Sequence, residues 1–473
     1  MERNIIGRNY EKQRLKELYN SKQSEFVAVY GRRRVGKTFI IREIFENKIS
    51  FDFVGIANAT TREQLSNFKD ALFLASKKKN KTPNNWFEAF IQLRLFLESV
   101  PDKRKLVFID EIPWFDTLRS NFLKALEHFW NSWGCVQRNL IFIVCGSATS
   151  WIINKLINNH GGLHNRLTST LFLHPFTISE TYSYLKYKKI NYNIQQLCEI
   201  QMLTGGVPFY LSKLKKELSL SQNIDNMFFN KESELKFEFH NLYNSLFNNS
   251  EDYIKIVELL SKKNKGLTRN EILKKTKLSS GGTLTERLQN LEYCGFIRSY
   301  PTIGKQKKEL IFQLMDNFTL FHFKYLANFD FKDEHFWSNN QISQQHNSWA
   351  GIAFELLILQ HIREIKNALG ISGVVTTAYS WRSEDAEDGS QIDLIIDRKD
   401  GMINLCEIKF SQDKFVIQKN YEENLRHKIV TFQEETNTKK AINLILFTTY
   451  GLKNNKHAEI IQRTITIKDI LNQ

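Results

Sequence analysis

A glycine-rich loop near the N-terminus constrains the fold of this chain more than any other feature. Residues 24–43 read SEFVAVYGRRRVGKTFIIRE, so an apolar run precedes the pattern G-x-x-x-x-G-K-T and a helical pattern follows it. This order predicts a phosphate-binding loop between a strand and a helix. Gly31 and Gly36 allow the backbone to turn its N–H groups towards phosphate oxygens. The alternative is a glycine-rich turn before an ordinary helix.

The side chains of this loop predict a site for ATP and Mg²⁺. Lys37 would place its ammonium group against the β- and γ-phosphates, and the Thr38 hydroxyl would take one position around Mg²⁺. The helix that starts at Thr38 adds its positive N-terminal end. The residues predicted to contact the nucleotide are Gly31, Arg32, Arg33, Arg34, Val35, Gly36, Lys37 and Thr38.

A second element of a phosphate site follows at residues 105–111, which read KLVFIDE. The four apolar residues predict a buried parallel strand that ends at Asp110 and Glu111. In this position Asp110 would hold Mg²⁺ through water, and Glu111 would polarise the water that attacks the γ-phosphate. A buried strand ending in Asp-Glu is common, so the interpretation depends on the loop that precedes it.

Two further residues are candidates for the same site. A third apolar strand, residues 139–144, is followed by CGSATS, in which Ser147 or Thr149 would sense the γ-phosphate. The alternative is that one of them caps a helix before Trp151. Arg166 precedes another apolar strand at 171–173 and is a candidate arginine finger acting in trans. A structural role for Arg166 is equally consistent with the sequence.

The order of these motifs resembles the prokaryotic archaeal-type ATPases, a group related to AAA+ and STAND ATPases that often carries a C-terminal DUF234-type, nuclease-like region. The resemblance extends over nearly the whole chain. It implies that residues 6–8 lie near the adenine and that residues 205–208 belong to a helical lid facing the nucleotide. One departure is Asn165, where the family usually has glycine before the arginine and leucine. The motifs that carry the resemblance are IIGR at 5–8, the phosphate loop, VFIDE at 107–111, GS at 146–147, NRLT at 165–168, PF at 175–176 and TGGVPFY at 204–210.

Composition indicates a large protein with a polyanionic partner. A chain of 473 residues suggests about three domains. The net charge of +15 and the pI of about 9.3 favour nucleic acid, DNA rather than RNA, although an even scatter of solvated lysines is an alternative. The five cysteines have no metal-binding spacing, which fits reduced thiols in the cytoplasm. We also expect no membrane span, because no long apolar run occurs.

The middle of the chain predicts a helical lid and then a winged helix-turn-helix. Helices are expected at 253–260, 269–276 (capped by Thr268) and 283–293, with strands at 296–300 and 310–314 around a basic wing at 304–308. Basic side chains would contact phosphates, although such domains also serve as packing or oligomer surfaces. The basic residues are Lys262, Lys263, Lys265, Arg269, Lys274, Lys275, Lys277, Arg287, Arg298, Lys305, Lys307 and Lys308.

The C-terminal part predicts a metal-dependent nuclease site. A helix at 348–365 contains Glu355, and strands at 391–397 and 404–410 form a hairpin that carries Asp393, Glu407 and Lys409. The pattern D-x₁₃-E-x-K resembles the PD-(D/E)XK nucleases, in which carboxylates hold Mg²⁺ and the lysine orients water. Glu355 would complete the metal shell. The alternative is a strand pair with a Glu407–Lys409 salt bridge.

These patterns predict an α/β fold with a parallel P-loop sheet, a helical lid, a winged helix-turn-helix and a C-terminal α/β nuclease-like domain. The expected boundaries are 1–178, 179–248, 249–318 and 319–473. The expected function is that of an ATP-dependent or ATP-regulated nuclease, homo-oligomeric, with a role in phage or mobile-element defence implied by the resemblance alone. The alternative is an ATP-switched DNA-binding regulator or scaffold with an inactive nuclease-like domain.

We predict that the wing contacts phosphates. Replacing Lys305, Lys307 and Lys308 together by alanine should lower the salt slope of DNA binding by about one unit for each lost contact. The measurement is DNA affinity over a range of salt concentrations. A triple alanine variant of the other three-lysine run, residues 77–79, is the matched control. An unchanged slope in the wing variant would instead give the wing a packing role.

Overall fold

The computed structural model describes residues 5–101, 103–158, 161–278, 281–301, 309–383 and 389–471. The chain divides into two compact units. The first ends at His174 and also includes Ser245–Phe247; the second comprises Pro175–Asn244 and the chain from Asn248 onwards. The finer division predicted at 178, 248 and 318 stays a prediction.

The first unit is built on a five-stranded parallel sheet, which confirms the predicted α/β class. The strand order is β2-β3-β4-β1-β5, and every pairing is parallel. Because β1 lies beside β4, and β4 beside β3, the carboxyl ends of the three strands predicted to carry phosphate-site residues meet at one edge. The strands are β1 Glu25–Tyr30, β2 Ile49–Val54, β3 Lys105–Asp110, β4 Leu140–Gly146 and β5 Ser169–Phe172.

Helices cover both faces of this sheet, since successive side chains of a strand point to opposite sides. In β1, Val27 and Val29 pack into one core with α1 and α2, while Phe26 and Ala28 pack into another with α3, α4 and α5. Burial on both faces explains why β3 and β4 read as continuous apolar runs. The helices are α1 Asn9–Asn20, α2 Lys37–Ile44, α3 Thr61–Ser76, α4 Trp86–Ser99, α5 Phe122–Ser132 and α6 Thr149–Ile152.

The second unit begins with helices, as the periodicity of residues 178–216 predicts. Capping boxes mark several helix starts, for example Thr177 with Glu180 and Asn193 with Gln196, and satisfy backbone donors that the first turn leaves open. The helices are α7 Ile178–Tyr187, α8 Ile194–Thr204, α9 Pro208–Ser212, α10 Leu220–Ile224 and α11 Glu238–Leu246. A π-helical turn, Asp225–Phe229, follows α10 directly.

A middle region, residues 250–314, contains three helices and a three-stranded antiparallel sheet. The order of the sheet is β6-β8-β7. The predicted helices and the two predicted strands are present, and Thr268 caps its helix through Glu271. The two-residue strand β6 was too short to show a sequence period. The elements of the middle region are α12 Ser250–Ser261, β6 Leu267–Thr268, α13 Arg269–Thr276, α14 Gly282–Tyr293, β7 Ile297–Pro301 and β8 Leu310–Leu314. The predicted wing lysines Lys305, Lys307 and Lys308 lie outside the described residues.

Short helices and an aromatic cluster then connect to the C-terminal region. The connector contains α15 Asn317–Phe321, a π-helical turn His322–Leu326, and α16 Phe336–Asn340. Trp337 packs against Phe229, Phe321 and Trp349. The buried carboxylate of Asp225 accepts hydrogen bonds from the backbone N–H groups of Trp337 (2.8 Å) and Ser338 (3.2 Å). It therefore fixes the start of α16 against the helices of the same unit.

The C-terminal region, residues 344–471, is built on a mixed five-stranded sheet of order β13-β12-β11-β10-β9. Strands β9, β10 and β11 are antiparallel neighbours, whereas β12 and β13 continue in parallel from β11. The predicted hairpin is present, with Leu394 opposite Cys406. The elements are α17 Gln344–Gln360, α18 Ile362–Ala368, β9 Thr376–Arg382, β10 Gln391–Arg398, β11 Met402–Lys409, α19 Lys419–Thr436, β12 Ala441–Thr448, β13 Arg463–Thr466 and α20 Ile467–Leu471.

The single helix expected at 348–365 is divided into α17 and α18 at His361, so that expectation was wrong in this detail. His361 has φ −114° and ψ 31°, outside the helical range. Its buried imidazole contacts the carbonyl oxygen of Leu357 through Nδ1 (2.7 Å), and Nε2 accepts a hydrogen bond from the N–H of Ile178 (2.9 Å). The break in the helix thus coincides with a contact to a residue that is distant in sequence.

We predict that Asp225 stabilises the second unit. Asp225→Ala would leave the buried N–H group of Trp337 and the N–H group of the more exposed Ser338 without their acceptor, so the free energy of unfolding should fall by about 1–3 kcal/mol. Urea unfolding followed by tryptophan fluorescence measures this change. Asp330→Ala is the control, since that carboxylate is exposed and pairs with its neighbour Lys332 at the surface. Equal stability of the two variants would contradict the prediction.

Candidate functional site

The phosphate loop lies between β1 and α2 and depends on glycine at two positions. Gly31 has φ +145° and Gly36 has φ +95°, a range that other residues rarely adopt. A Cβ atom at Gly31 would also lie 2.4 Å from the carbonyl oxygen of Leu173. Both the conformation and the space therefore require glycine at residue 31.

Lys37 is directed into this loop. Its buried ammonium group donates to the carbonyl oxygens of Gly31 (2.9 Å) and Arg32 (3.0 Å). Arg8 supports the same loop from outside, because its guanidinium donates to the carbonyl oxygen of Val35 (3.1 Å). The charge of Lys37 is thus held at the loop backbone, where N–H groups at the start of α2 also point.

The predicted Mg²⁺ residues of this site lie in contact. The Thr38 hydroxyl donates to Oδ2 of Asp110 at 2.7 Å, and Oδ1 of Asp110 accepts the backbone N–H of Glu111 at 2.9 Å. Asp110 is buried at the carboxyl end of β3. A hydroxyl and a carboxylate beside the loop supply oxygen atoms of the kind that Mg²⁺ prefers.

Glu111 is held by the residue after β4. Glu111 has φ +49°, and its Oε2 accepts hydrogen bonds from the backbone N–H (3.1 Å) and the hydroxyl (3.0 Å) of Ser147. The alternative role of Ser147 or Thr149 as helix cap is not seen, because α6 begins at Thr149 and its cap position is Ala148. Ser147 therefore links the end of β4 to the candidate catalytic carboxylate.

The other predicted residues of the nucleotide site differ in exposure. Arg32 and Val35 are buried, while Arg33 and Arg34 are half-buried. Arg166 is exposed in the turn before β5. A role for Arg166 in a neighbouring subunit stays a prediction.

A second candidate site is a cavity of about 730 Å³ in the C-terminal region. The four residues predicted for the nuclease site, Glu355, Asp393, Glu407 and Lys409, all line it. They come from α17, β10 and β11, and the N–H of Ile408 donates to Oδ2 of Asp393 at 3.1 Å. The hairpin and the preceding helix therefore bring together side chains that lie up to 54 residues apart.

A lysine from the middle region lies between two of these carboxylates. Nζ of Lys265 is 2.7 Å from Oδ1 of Asp393 and 2.9 Å from Oε2 of Glu355. Sequence reasoning placed Lys265 only among basic residues expected to contact phosphates. Its only sequence signal was its place in a short basic run, which does not distinguish it from Lys262 and Lys263.

Glu407 is held by three other groups. Its carboxylate accepts a hydrogen bond from the Tyr421 hydroxyl (2.7 Å) and lies 3.0 Å from the ammonium groups of both Lys428 and Lys409. The Glu407–Lys409 salt bridge considered as an alternative is thus present. Tyr421 and Lys428, both from α19, were not identified from the sequence, because a helix surface rich in charged residues is usually a solvated face.

Charge compensation sets the ionisation of these groups. Burial raises the pKa of Glu355, and the nearby Asp393 raises it further, to about 6 despite Lys265. Burial also acts to raise the pKa of Asp393, but the ammonium of Lys265 outweighs it and lowers that pKa below its usual value. Burial disfavours the charged form of Lys265, yet Asp393 and Glu355 raise its pKa overall.

The cavity contains its own cations. Among the described residues, no group of three or more His, Cys, Asp or Glu side chains is arranged to hold a metal ion, which differs from the expected three-carboxylate shell. Ammonium groups lie among the carboxylates instead. Glu355 and Asp393 nevertheless converge on a single cation, the ammonium of Lys265, so this donor pair fits a cation.

A search of the helices in the described parts of the chain found none with the length and apolar character needed to cross a membrane.

The comparisons identify the N-terminal part of the chain. Residues 6–214 match the family described as "ATPase domain predominantly from Archaea". The chain therefore carries an archaeal-type ATPase domain, which implies nucleotide binding and supports ATPase activity. A curated relative, the uncharacterized protein MJECL04 of Methanocaldococcus jannaschii, is 25% identical over 374 residues, covering 76% of this chain and 78% of the relative.

Solved structures show weaker similarity. The Walker-type ATPase PABY2304 of Pyrococcus abyssi matches with a TM-score of 0.49 and 16% identity, over 68% of this chain and 96% of that chain. The ORC2 protein of Aeropyrum pernix matches with a TM-score of 0.35 and 13% identity, over 66% and 92%.

We predict that Lys37 and Glu111 separate nucleotide binding from hydrolysis. Lys37→Ala removes the point charge of the loop and should abolish tight ATP binding, whereas Glu111→Gln should keep binding and lower turnover by about 100-fold or more. Binding of a fluorescent ATP analogue and phosphate release measure the two effects. Lys16→Ala and Glu17→Gln, both exposed on α1, are matched controls. Turnover in Glu111→Gln equal to that of the wild type would remove Glu111 from the mechanism.

Proposed function

We propose that this protein is an ATP-dependent or ATP-regulated, Mg²⁺-dependent nuclease that acts on DNA rather than RNA. The observation that carries the proposal is the common cavity of Glu355, Asp393, Glu407 and Lys409. These four residues lie up to 54 positions apart in the sequence, so it is the tertiary fold that brings them into one cavity. A role in phage or mobile-element defence belongs to this proposal on the family resemblance alone.

The register of the hairpin supports a shared site. Leu394 lies opposite Cys406, so the next residues outward, Asp393 and Glu407, are neighbours on adjacent strands. The carboxylates of Glu355 and Asp393, which converge on one cation, would hold the metal ion. The chemistry that Mg²⁺ supplies when bound is activation of a water molecule and shielding of the phosphodiester charge.

The chain's own residues would orient the reaction. The ammonium of Lys409, at the end of β11, would position the attacking water or stabilise the negative charge that develops on the phosphate. Tyr421 holds one oxygen of Glu407 and so fixes the orientation of that carboxylate. Lys428, whose ammonium lies 3.0 Å from the same carboxylate, would add positive charge beside Glu407.

Nucleic acid would approach through exposed basic residues of the middle region. Lys262, Lys263, Lys274, Lys275 and Lys277 are exposed and are available for phosphate contacts. Three predicted contacts are internal instead: Lys265 lies between Glu355 and Asp393, Arg287 pairs with Asp252 (2.6 Å), and Arg298 donates to Gln313 and Ser380 (2.8 Å each). The interface proposed here is therefore smaller than the sequence suggested.

The ATPase domain would supply control. Nucleotide bound at Lys37 and Thr38 would arrange subunits of a homo-oligomer, in which Arg166 of one subunit would reach the γ-phosphate of its neighbour. The N–H and the hydroxyl of Ser147 both donate to Oε2 of Glu111. To polarise water, the Glu111 carboxylate would have to break these hydrogen bonds or accept a further one beside them. ATP turnover would in this way license cleavage.

A second candidate function is an ATP-switched DNA-binding regulator with an inactive nuclease-like region. The specific observation in its favour is that lysines already pair with the carboxylates of the cavity. Lys265 pairs with Glu355 and Asp393, and Lys409 pairs with Glu407. A permanent arrangement of this kind would leave no place for a metal ion.

We predict metal-dependent cleavage that fails in Asp393→Ala and in Lys409→Ala while ATP hydrolysis persists in both. The assay incubates the purified protein with DNA and RNA, with Mg²⁺ or Mn²⁺, and with or without ATP. Asp413→Ala and Lys414→Ala are matched controls, because both side chains are exposed in the same region, and they should cleave like the wild type. Cleavage that continues in excess chelator, or in Asp393→Ala, would refute the proposed nuclease.

A further inference from the structure

Lys265 reaches the cavity from a different part of the second unit. It lies in the turn between α12 and β6, 90 residues before Glu355 and 128 before Asp393 in sequence. The side chains are largely removed from water, with exposed fractions of 10% for Lys265, 19% for Glu355 and 9% for Asp393. A buried ammonium between two carboxylates is a specific contact, unlike a solvated lysine on a surface.

The backbone of this turn is fixed, so the position of Lys265 is built into the fold. Gly266 has φ +77°, and a Cβ atom there would lie 2.4 Å from the carbonyl oxygen of Phe312. The hydroxyl of Tyr300 donates to the carbonyl oxygen of Lys265 at 2.6 Å. The turn is therefore held by both other strands of the middle-region sheet, β7 and β8.

A chain of hydrogen bonds joins the same sheet to the strand that bears Asp393. Arg298, on β7, donates to the Ser380 hydroxyl at 2.8 Å, and that hydroxyl donates to the carbonyl oxygen of Asp393 at 2.7 Å. Tyr300 and Ile311 also pack into the hydrophobic core of the C-terminal region. These contacts hold the middle region against the strand of Asp393, so Lys265 can leave Asp393 only when they are broken.

The charges of the cavity balance in this arrangement. Three carboxylates, Glu355, Asp393 and Glu407, pair with three ammonium groups, those of Lys265, Lys409 and Lys428. A divalent cation bound to Glu355 and Asp393 would have to share their oxygens with the ammonium of Lys265. Like charges at such a distance repel strongly in a site with little water.

We propose that Lys265 is a gate for the metal site: its ammonium occupies the cation position between Glu355 and Asp393, and a divalent cation binds there only when the middle region withdraws Lys265. This inference rests on the metal site of the proposed function. It adds a means of regulation, because displacement of the turn at 262–266 would open the site. Nucleic acid bound to the neighbouring exposed lysines is the ligand that would cause this displacement.

Calorimetric titration of the full chain with Mn²⁺, without nucleotide, tests the gate. Lys265→Met keeps much of the side-chain volume and removes the charge, so it should bind Mn²⁺ about tenfold or more tightly than the wild type. Lys263→Met is the matched control, since it removes the same charge from an exposed position in the same turn and should leave the affinity unchanged. The gain should vanish in Lys265→Met/Asp393→Ala. A folded Lys265→Met that binds Mn²⁺ no more tightly than the wild type overturns the gate.

A second measurement uses the wild type and does not depend on the folding of a variant. Acetylation of lysines by an amine-reactive ester, followed by mass spectrometry, reports how accessible each ammonium group is. Millimolar Mn²⁺ should increase the labelling rate of Lys265 several-fold and leave that of Lys263 unchanged. A rate for Lys265 that does not respond to Mn²⁺ overturns the gate.

The gate and the nuclease can fail separately. Tighter Mn²⁺ binding by Lys265→Met without any cleavage of DNA or RNA supports the gate and refutes the nuclease. Metal-dependent cleavage by the wild type, combined with unchanged Mn²⁺ affinity in Lys265→Met, supports the nuclease and refutes the gate.

Discussion

A carboxylate taken out of water loses hydration that only hydrogen-bond donors or a cation can replace. This constraint determines how the candidate functional residues are arranged. Asp110 satisfies it with the Thr38 hydroxyl and a backbone N–H, and Glu111 with Ser147. Asp393 satisfies it with Lys265 and a backbone N–H. Thr38, Ser147, Lys265 and the N–H of Ile408 all come from other parts of the chain, so the contacts that satisfy the carboxylates also fix the elements that carry them.

Local signals in the sequence were sufficient for much of the fold. The phosphate loop was predictable because its glycines, lysine and threonine are constrained at fixed spacing by one short backbone turn. The strands at 105–110 and 391–398 were predictable because burial on both faces, or hairpin pairing, leaves a continuous or alternating apolar pattern. The helix cap at Thr268 was predictable because its partner Glu271 lies only three residues away.

Contacts between distant residues were beyond sequence reasoning. The helix breaks at His361, which accepts a hydrogen bond from Ile178, and nothing near residue 361 in sequence indicates that contact. Lys265 reads as one more basic residue, and only the packing of the middle region on the C-terminal region places it between two carboxylates. Tyr421 and Lys428 lie on a largely charged helix whose orientation towards Glu407 is likewise tertiary.

The balanced charges of the C-terminal cavity have a consequence for how the protein is made and stored. Many small metal-binding domains fold only when their metal is present, because the free energy of metal binding supplies much of their folding free energy. Here the ammonium groups of Lys265, Lys409 and Lys428 lie against the carboxylates within the chain itself. Folding of the C-terminal region, and with it the synthesis of the protein, should therefore not depend on the supply of divalent cations.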